Sequence, residues 1–314
     1  MNPRIALATI AALTIAACSA PPPEAMGASS SRETDTPAVP ARLLGMNLDP
    51  LNGTSNPTTA DLADIGARAV RFELHAESGA EAAFDAYDQA LDTYAAAGVR
   101  VLVILDQATL PRDGEWGDYV NRFAARAGQI AEHFGSRVAA YEIWNEPDLD
   151  GPIRHIDGAP YGELLNASYD AIKGVSDAKV VTAGLASGQP SYVEAMGDFR
   201  ADALSTHPYL HWFGAGGPES YYQFEDHISA FAAFGLPLWF TEWGTDDPEL
   251  QPRQIANVFD NITNDDRIEE TFFFAWSDTN FPGMGVTTDG TSQKPAYSAF
   301  ARYGRGVASS SSSQ

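Results

Sequence analysis

The chain of 314 residues has a single cysteine, Cys18, which excludes an intrachain disulfide. Basic residues are scarce as well: 19 lysines and arginines stand against 42 acidic residues, a formal net charge of −23. A surface so negative repels phosphate backbones and anionic lipid, so nucleic acid is excluded as a partner and a polyanion is a harder ligand than a neutral one. The six histidines are scattered and no His-Glu-x-x-His motif occurs, so no metal site is expected. Nor is there a Gly-x-Ser-x-Gly elbow, which removes the common serine-hydrolase arrangement. No cofactor is expected. The chain does have a good supply of core material: 44% of its residues are hydrophobic and 11% aromatic, too many for a disordered protein.

The apolar run Ile5–Ala17, 13 residues long and preceded by Arg4, is too short to span a bilayer and has the proportions of a signal-peptide core. The residues Ile15-Ala16-Ala17-Cys18 resemble a bacterial lipobox, in which the cysteine is lipidated and becomes the new N-terminus. An exported lipoprotein, periplasmic or at the cell surface and reaching the membrane only through its anchor, is therefore expected. An ordinary signal peptide cut nearby is the alternative. The boundaries predicted are a leader over 1–17, the lipidated Cys18 with a flexible Pro/Ala/Ser/Thr linker over 18–41, one folded domain over 42–304, and a disordered serine-rich tail over 305–314. A monomer is expected.

Within 42–304, short β-branched runs alternate with helical patterns. The predicted strands are Leu43–Asn47, Ala69–Leu74, Val99–Leu105, Val138–Trp144, Lys179–Leu185, Ala203–His207, Leu238–Glu242 and Thr271–Trp276. Several are continuous apolar runs, which suits parallel strands covered on both faces. Between them, Phe84, Tyr87, Leu91 and Tyr94, then Tyr119, Phe123, Ile130 and Phe134, recur at helical spacing and stop at Gly98 and Gly135. Eight βα units in about 260 residues match a (β/α)8 TIM barrel. A doubly wound open sheet would want a glycine-rich phosphate loop after the first strand, and Leu43–Pro50 contains none.

Polar residues just past the C-terminal strand ends line the active face of such a barrel. Here they are Asp49, Arg71 with Glu73, Asp106, Asn145 with Glu146, Ser187, His207 with Tyr209, Glu242 and Trp276: carboxylates and aromatics. Trp144-Asn145-Glu146-Pro147-Asp148 and Thr241-Glu242-Trp243-Gly244, supported by Arg71, Ser205-Thr206-His207-Pro208-Tyr209 and Trp276, resemble clan A of the retaining glycoside hydrolases, families 5 and 39 above all. The signals sit in order on five of the eight predicted strands. No second domain like the β-sandwich of family 39 is visible. The resemblance implies Glu146 as acid/base and Glu242 as nucleophile, acting on β-glycosidic bonds of an oligo- or polysaccharide.

Physical chemistry points the same way. Retaining hydrolysis needs two carboxyl groups on either side of one anomeric carbon. Glu146, between Trp144 and Pro147, is expected in an apolar setting that keeps its proton. Arg71 and Tyr209 are expected to hold Glu242 ionised, Asn145 to bond the sugar 2-hydroxyl, His207 to contact ligand or serve the core, and Trp276 to offer its face to the sugar. Asp49, Glu73 and Asp106 read as structural. A non-catalytic carbohydrate-binding lipoprotein and a transglycosylase are the rival readings.

Overall fold

A computed structural model describes residues 39–51, 55–75, 82–151, 154–209 and 221–310. The expected leader, Cys18, nearly all of the linker and the last four residues lie outside them. Eight strands, β1 (Gly45–Asn47), β2 (Ala69–Glu73), β3 (Arg100–Leu105), β4 (Ala140–Ile143), β5 (Lys179–Thr182), β6 (Leu204–Thr206), β7 (Leu238–Trp243) and β8 (Ile268–Phe273), alternate with helices. The helices are α1 (Thr59–Ile65), α2 (Ala82–Ala96), α3 (Trp116–Phe134), α4 (Gly158–Lys173), α5 (Pro190–Ala195), α6 (Tyr221–Ala232), α7 (Gln251–Ile262) and α8 (Pro295–Ser310).

All paired strands are parallel, in the order β5-β4-β3-β2-β1-β8-β7-β6. The bridges Val181↔Ala203 and Leu185↔Thr206 join the two ends, so the sheet closes into a (β/α)8 barrel.

Local signals explain the helices. Thr58 and Asp61 form a reciprocal capping box that starts α1. On α3, Tyr119, Phe123, Ala127, Ile130 and Phe134 make one buried stripe, and Gly135, at φ 54°, ends the helix where a side chain would be strained. The last helix continues to Ser310, so the chain is helical past the point, residue 305, where the sequence predicted a disordered tail. Arg305, bonded to Asp64 at 3.2 Å, ties the helix to α1 there.

Strand parity builds the barrel interior. Ala69, Leu102, Ala140, Val181, Ala203, Trp239 and Phe272 pack into one apolar layer. Two residues further along, the same side of β2, β3, β4, β6 and β7 carries Arg71, Ile104, Glu142, Ser205 and Thr241, all buried. Polar side chains thus sit directly on an apolar floor. Beneath that floor, Arg100 grips Glu270 through bonds of 2.9 and 2.8 Å, and Glu269 accepts from Lys179 at 2.6 Å and Trp239 at 2.8 Å. β8 runs from Ile268 to Phe273, ahead of the predicted Thr271–Trp276, and these pairs neutralise the two charged residues at its start across the barrel.

Candidate active site

Arg71, on β2, is buried to 1% exposure in the layer above the floor. All five of its N–H donors are used. Nε and Nη2 reach Glu142 at 2.7 and 3.1 Å, Nη1 reaches Glu242 at 2.7 Å and Asn47 at 2.8 Å, and Nη2 also reaches Asn145 at 3.2 Å. Burial alone would lower the guanidinium's pKa, but Glu142 and Glu242 outweigh it and raise it.

Glu242, at the end of β7, has both oxygens occupied: Oε1 by Arg71 and Oε2 by the Tyr209 hydroxyl at 2.6 Å. Its burial would raise its pKa, yet the charges of His207 and Arg71 and the bonds from Tyr209 and Arg71 hold it below the usual value. A carboxylate results that stays ionised out of water. Burial and the adjacent Glu242 push the Tyr209 hydroxyl well above its ordinary pKa, so it remains a donor.

Glu146 follows β4 on a strained corner: Trp144 has φ 74° and Glu146 φ 51°, values that side chains rarely adopt. Several bonds hold that corner. Trp144 Nε1 donates to the Arg154 carbonyl at 2.8 Å, Glu146 N donates to the Gly184 carbonyl at 3.2 Å, and Asp148 accepts from the backbone of Ala186 and Ser187. The Trp144 ring packs against Tyr119 and Phe123. The carboxyl group itself meets His207 Nδ1 at 3.0 Å and Arg154 Nη1 at 2.8 Å. Its setting is polar and charged rather than apolar, because Trp144 turns its ring into the α3 interface and leaves the carboxyl between two cation-forming groups.

His207 is fully buried and does not line the pocket. Its place is between the two glutamates: Nδ1 lies 3.0 Å from Glu146 and 3.7 Å from Glu242, while Nε2 faces Thr241 Oγ1 at 3.1 Å. Because Thr241 donates to Glu142, it accepts from Nε2–H, which leaves Nδ1 to share a proton with Glu146. Burial would lower the imidazole's pKa, but Glu242 and Glu146 raise it. Gly184 makes the arrangement possible, since a Cβ there would fall 1.9 Å from His207 Nε2.

The pocket above these groups has a volume of about 640 Å³. Asn145, Glu146, Tyr209 and Glu242 line it; Trp276 does not. That tryptophan is 2% exposed, donates Nε1 to the Gly290 carbonyl at 3.2 Å and packs against Tyr297. Besides Phe72 and Tyr209, the aromatic residues lining the pocket are Phe274 and Phe281, whose rings lie 4.4 Å apart.

Sequence reasoning also missed Glu142, a carboxylate inside a strand, and Arg154, which belongs to no motif. Of the residues read as structural, Asp49 and Glu73 line the pocket, Glu73 beside His75 at 3.0 Å. Burial opposes ionisation of Glu73, but His75 brings its pKa down to about 2, while burial and Glu73 keep Asp106 protonated well above the usual range.

Among the described residues, Glu146, His207 and Glu242 form the group whose donor atoms, within 4.8 Å of one another, could meet at a metal ion. Those atoms already bond Arg71, Arg154, Tyr209 and each other, which suits proton transfer better than ligation.

A (β/α)8 barrel with glutamates ending β4 and β7 defines a clan A glycoside hydrolase. Residues 34–279 match cellulase, glycosyl hydrolase family 5, and the chain belongs to that family. No curated protein sequence matches it. Among solved structures it is similar to a family 39 glycoside hydrolase from Bacteroides cellulosilyticus, at 18% identity and TM-score 0.60 over 85% of this chain and 64% of that one. The chain thus spans slightly under two thirds of that enzyme's length. It is also similar to Thermotoga maritima Cel5A in complex with cellobiose, at 14% identity and TM-score 0.59, covering 83% of this chain and 98% of that one. A family 128 endo-β-1,3-glucanase from Amycolatopsis mediterranei with laminaritriose gives 18% identity and TM-score 0.54, covering 82% and 98%.

Proposed function

We propose that this chain hydrolyses β-glycosidic bonds of an oligo- or polysaccharide with retention, using Glu242 as nucleophile and Glu146 as acid/base. One observation carries the reading: a carboxylate oxygen of Glu146 and one of Glu242 lie within 4.8 Å of each other, yet the two groups are held by different partners. Two carboxyl groups at about 5–5.5 Å fit double displacement, whereas inversion needs room for a water between them.

Glu242, ionised and aimed by Arg71 and Tyr209, attacks the anomeric carbon as the glycosidic C–O bond breaks and Glu146 gives its proton to the departing oxygen. Water then attacks the glycosyl–Glu242 ester, its proton passing to Glu146. Asn145, whose Oδ1 is turned to Arg71, keeps its amide N–H groups for the sugar 2-hydroxyl. Phe274 and Phe281 supply the apolar face. The lipobox-like Ile15–Cys18 supports export and anchoring of the enzyme at a membrane.

The test uses substrates with a dinitrophenyl leaving group. Glu242→Ala should abolish turnover, with azide restoring part of it as a glycosyl azide of inverted configuration. Glu146→Ala should keep kcat/KM on that substrate within roughly an order of magnitude and lose ~10²–10⁴-fold on natural linkages. Wild-type rates in Glu242→Ala, or equal losses on both substrates in Glu146→Ala, would overturn the assignment.

A further inference from the structure

To serve as acid, Glu146 must turn one carboxyl oxygen, with its proton, toward the glycosidic oxygen. Both oxygens are taken: Oε1 by His207 and Oε2 by Arg154 Nη1 at 2.8 Å. One of these partners has to give way when substrate arrives. His207 is sealed in the barrel and fastened to Thr241. Arg154 is different: its side chain is 49% exposed and lines the pocket. Its backbone is pinned by Trp144 Nε1, so the guanidinium can swing while the loop stays.

The two arginines of the site make the contrast plain. Arg71 spends all five donors on protein acceptors and is buried, as a fixed strut is. Arg154 gives one donor to Glu146, and nearly half of its side chain faces the pocket and solvent. A guanidinium fork with spare N–H groups matches a carboxylate by two parallel hydrogen bonds. The acid/base stands on the leaving-group side of the bond it cleaves, so Arg154 borders the subsite of the departing sugar.

We propose that Arg154 recognises the carboxylate of a uronic acid at the leaving-group subsite, and that this contact draws the guanidinium off Glu146 Oε2 and frees that oxygen to face the glycosidic bond. The proposal rests on the retaining reading above. The chain's net charge of −23 does not oppose it, since repulsion between separated charges is screened beyond about 8 Å in physiological salt, and a contact pair acts well inside that distance. The ligand that fits is a glycan with isolated acidic residues, not a dense polyanion.

Transfer to acceptors tests the subsite directly, because an acceptor occupies the place of the leaving sugar. A dinitrophenyl glycoside forms the glycosyl–Glu242 ester; an acceptor hydroxyl then attacks the anomeric carbon, the ester bond breaks, and the hydroxyl proton goes to Glu146. Methyl glucuronoside and methyl glucoside are offered together at equal concentration and the two transfer products are measured. The wild type should favour the glucuronoside by about tenfold or more, as a charge-assisted pair allows. In Arg154→Gln the ratio should fall to about one, and in Arg154→Lys to a value between. A ratio is insensitive to how much of a variant folds. A wild-type ratio near one, or a preference that survives in Arg154→Gln, overturns the proposal. Azide rescue of Glu242→Ala reports separately on the retaining mechanism, so the two failures are told apart.

Discussion

Replacing Arg71 with methionine removes the guanidinium that two buried carboxylates share. Glu142 is fully buried and Glu242 is 7% exposed, and each takes a 2.7 Å bond from this guanidinium. Breaking a buried pair by deleting one partner costs about 3–5 kcal/mol, because the other charge is left out of water without compensation. At roughly 2–4 °C per kcal/mol for a domain of this size, Tm should fall by about 6–20 °C. The pH dependence carries the sharper information. In the wild type the depressed pKa of Glu242 contributes stability above its unfolded value, near 4.3, and that contribution is lost as pH falls through the folded pKa. In Arg71→Met burial is opposed by His207 and Tyr209 alone, so the pKa of Glu242 rises and its ionised form loses stability relative to the protonated one. The deficit in Tm should therefore be larger at pH 7 than at pH 5, and the acid limb of kcat/KM should move to higher pH. Adding Glu142→Gln should recover part of the loss, since it removes one stranded charge. Scanning calorimetry at the two pH values with a pH–rate profile checks all three. An equal deficit at both pH values, with an unmoved acid limb, would refute the account of Arg71 as the counter-ion of these carboxylates.

Phe274→Ala should raise KM roughly two- to tenfold through loss of an aromatic contact with the sugar, while Tm changes less than in a core variant. Trp276→Ala should do the reverse, costing about 3–5 kcal/mol of stability with kcat per folded molecule little changed; steady-state kinetics beside thermal melts of the two variants would separate them. The whole protein should fractionate with membranes, and Cys18→Ala should release it or block its processing; equal membrane association of that variant would place the anchor elsewhere.

The barrel was legible because its evidence is local. Val101 to Leu105 is apolar on both faces, as a parallel strand beneath helices must be, and Gly98 and Gly135 mark helix ends within two residues of where they act. The two glutamates were legible for the same reason, each lying in a short motif at a strand end. What was hidden depends on partners far along the chain. Glu269 and Glu270 look like strand breakers until Lys179 and Arg100 are seen across the barrel, 90 and 170 residues away. Glu142 looks misplaced in a strand until Arg71 arrives from 71 residues earlier.

The aromatic lining illustrates the harder case, in which the right residue type was read at the wrong position. Phe274 and Trp276 both follow β8, and a tryptophan is the larger and flatter surface for a sugar. The segment that decides between them is 284–290, which carried no chemical signal in the sequence. It pairs with the chain after β8: Ala275 N donates to Met284 O at 3.0 Å, Val286 N to Ala275 O at 2.9 Å, and Thr287 N to Trp276 O at 3.0 Å. It also supplies the Gly290 carbonyl that satisfies the indole N–H. A buried tryptophan needs such an acceptor, and once it has one the ring is better placed in the core than on the pocket. Phenylalanine has no polar atom to satisfy, so Phe274 can be left at the pocket wall with Phe281 against it. A strand-end motif fixes which residue types reach the active face, whereas the loop that folds over them selects which ring the substrate meets.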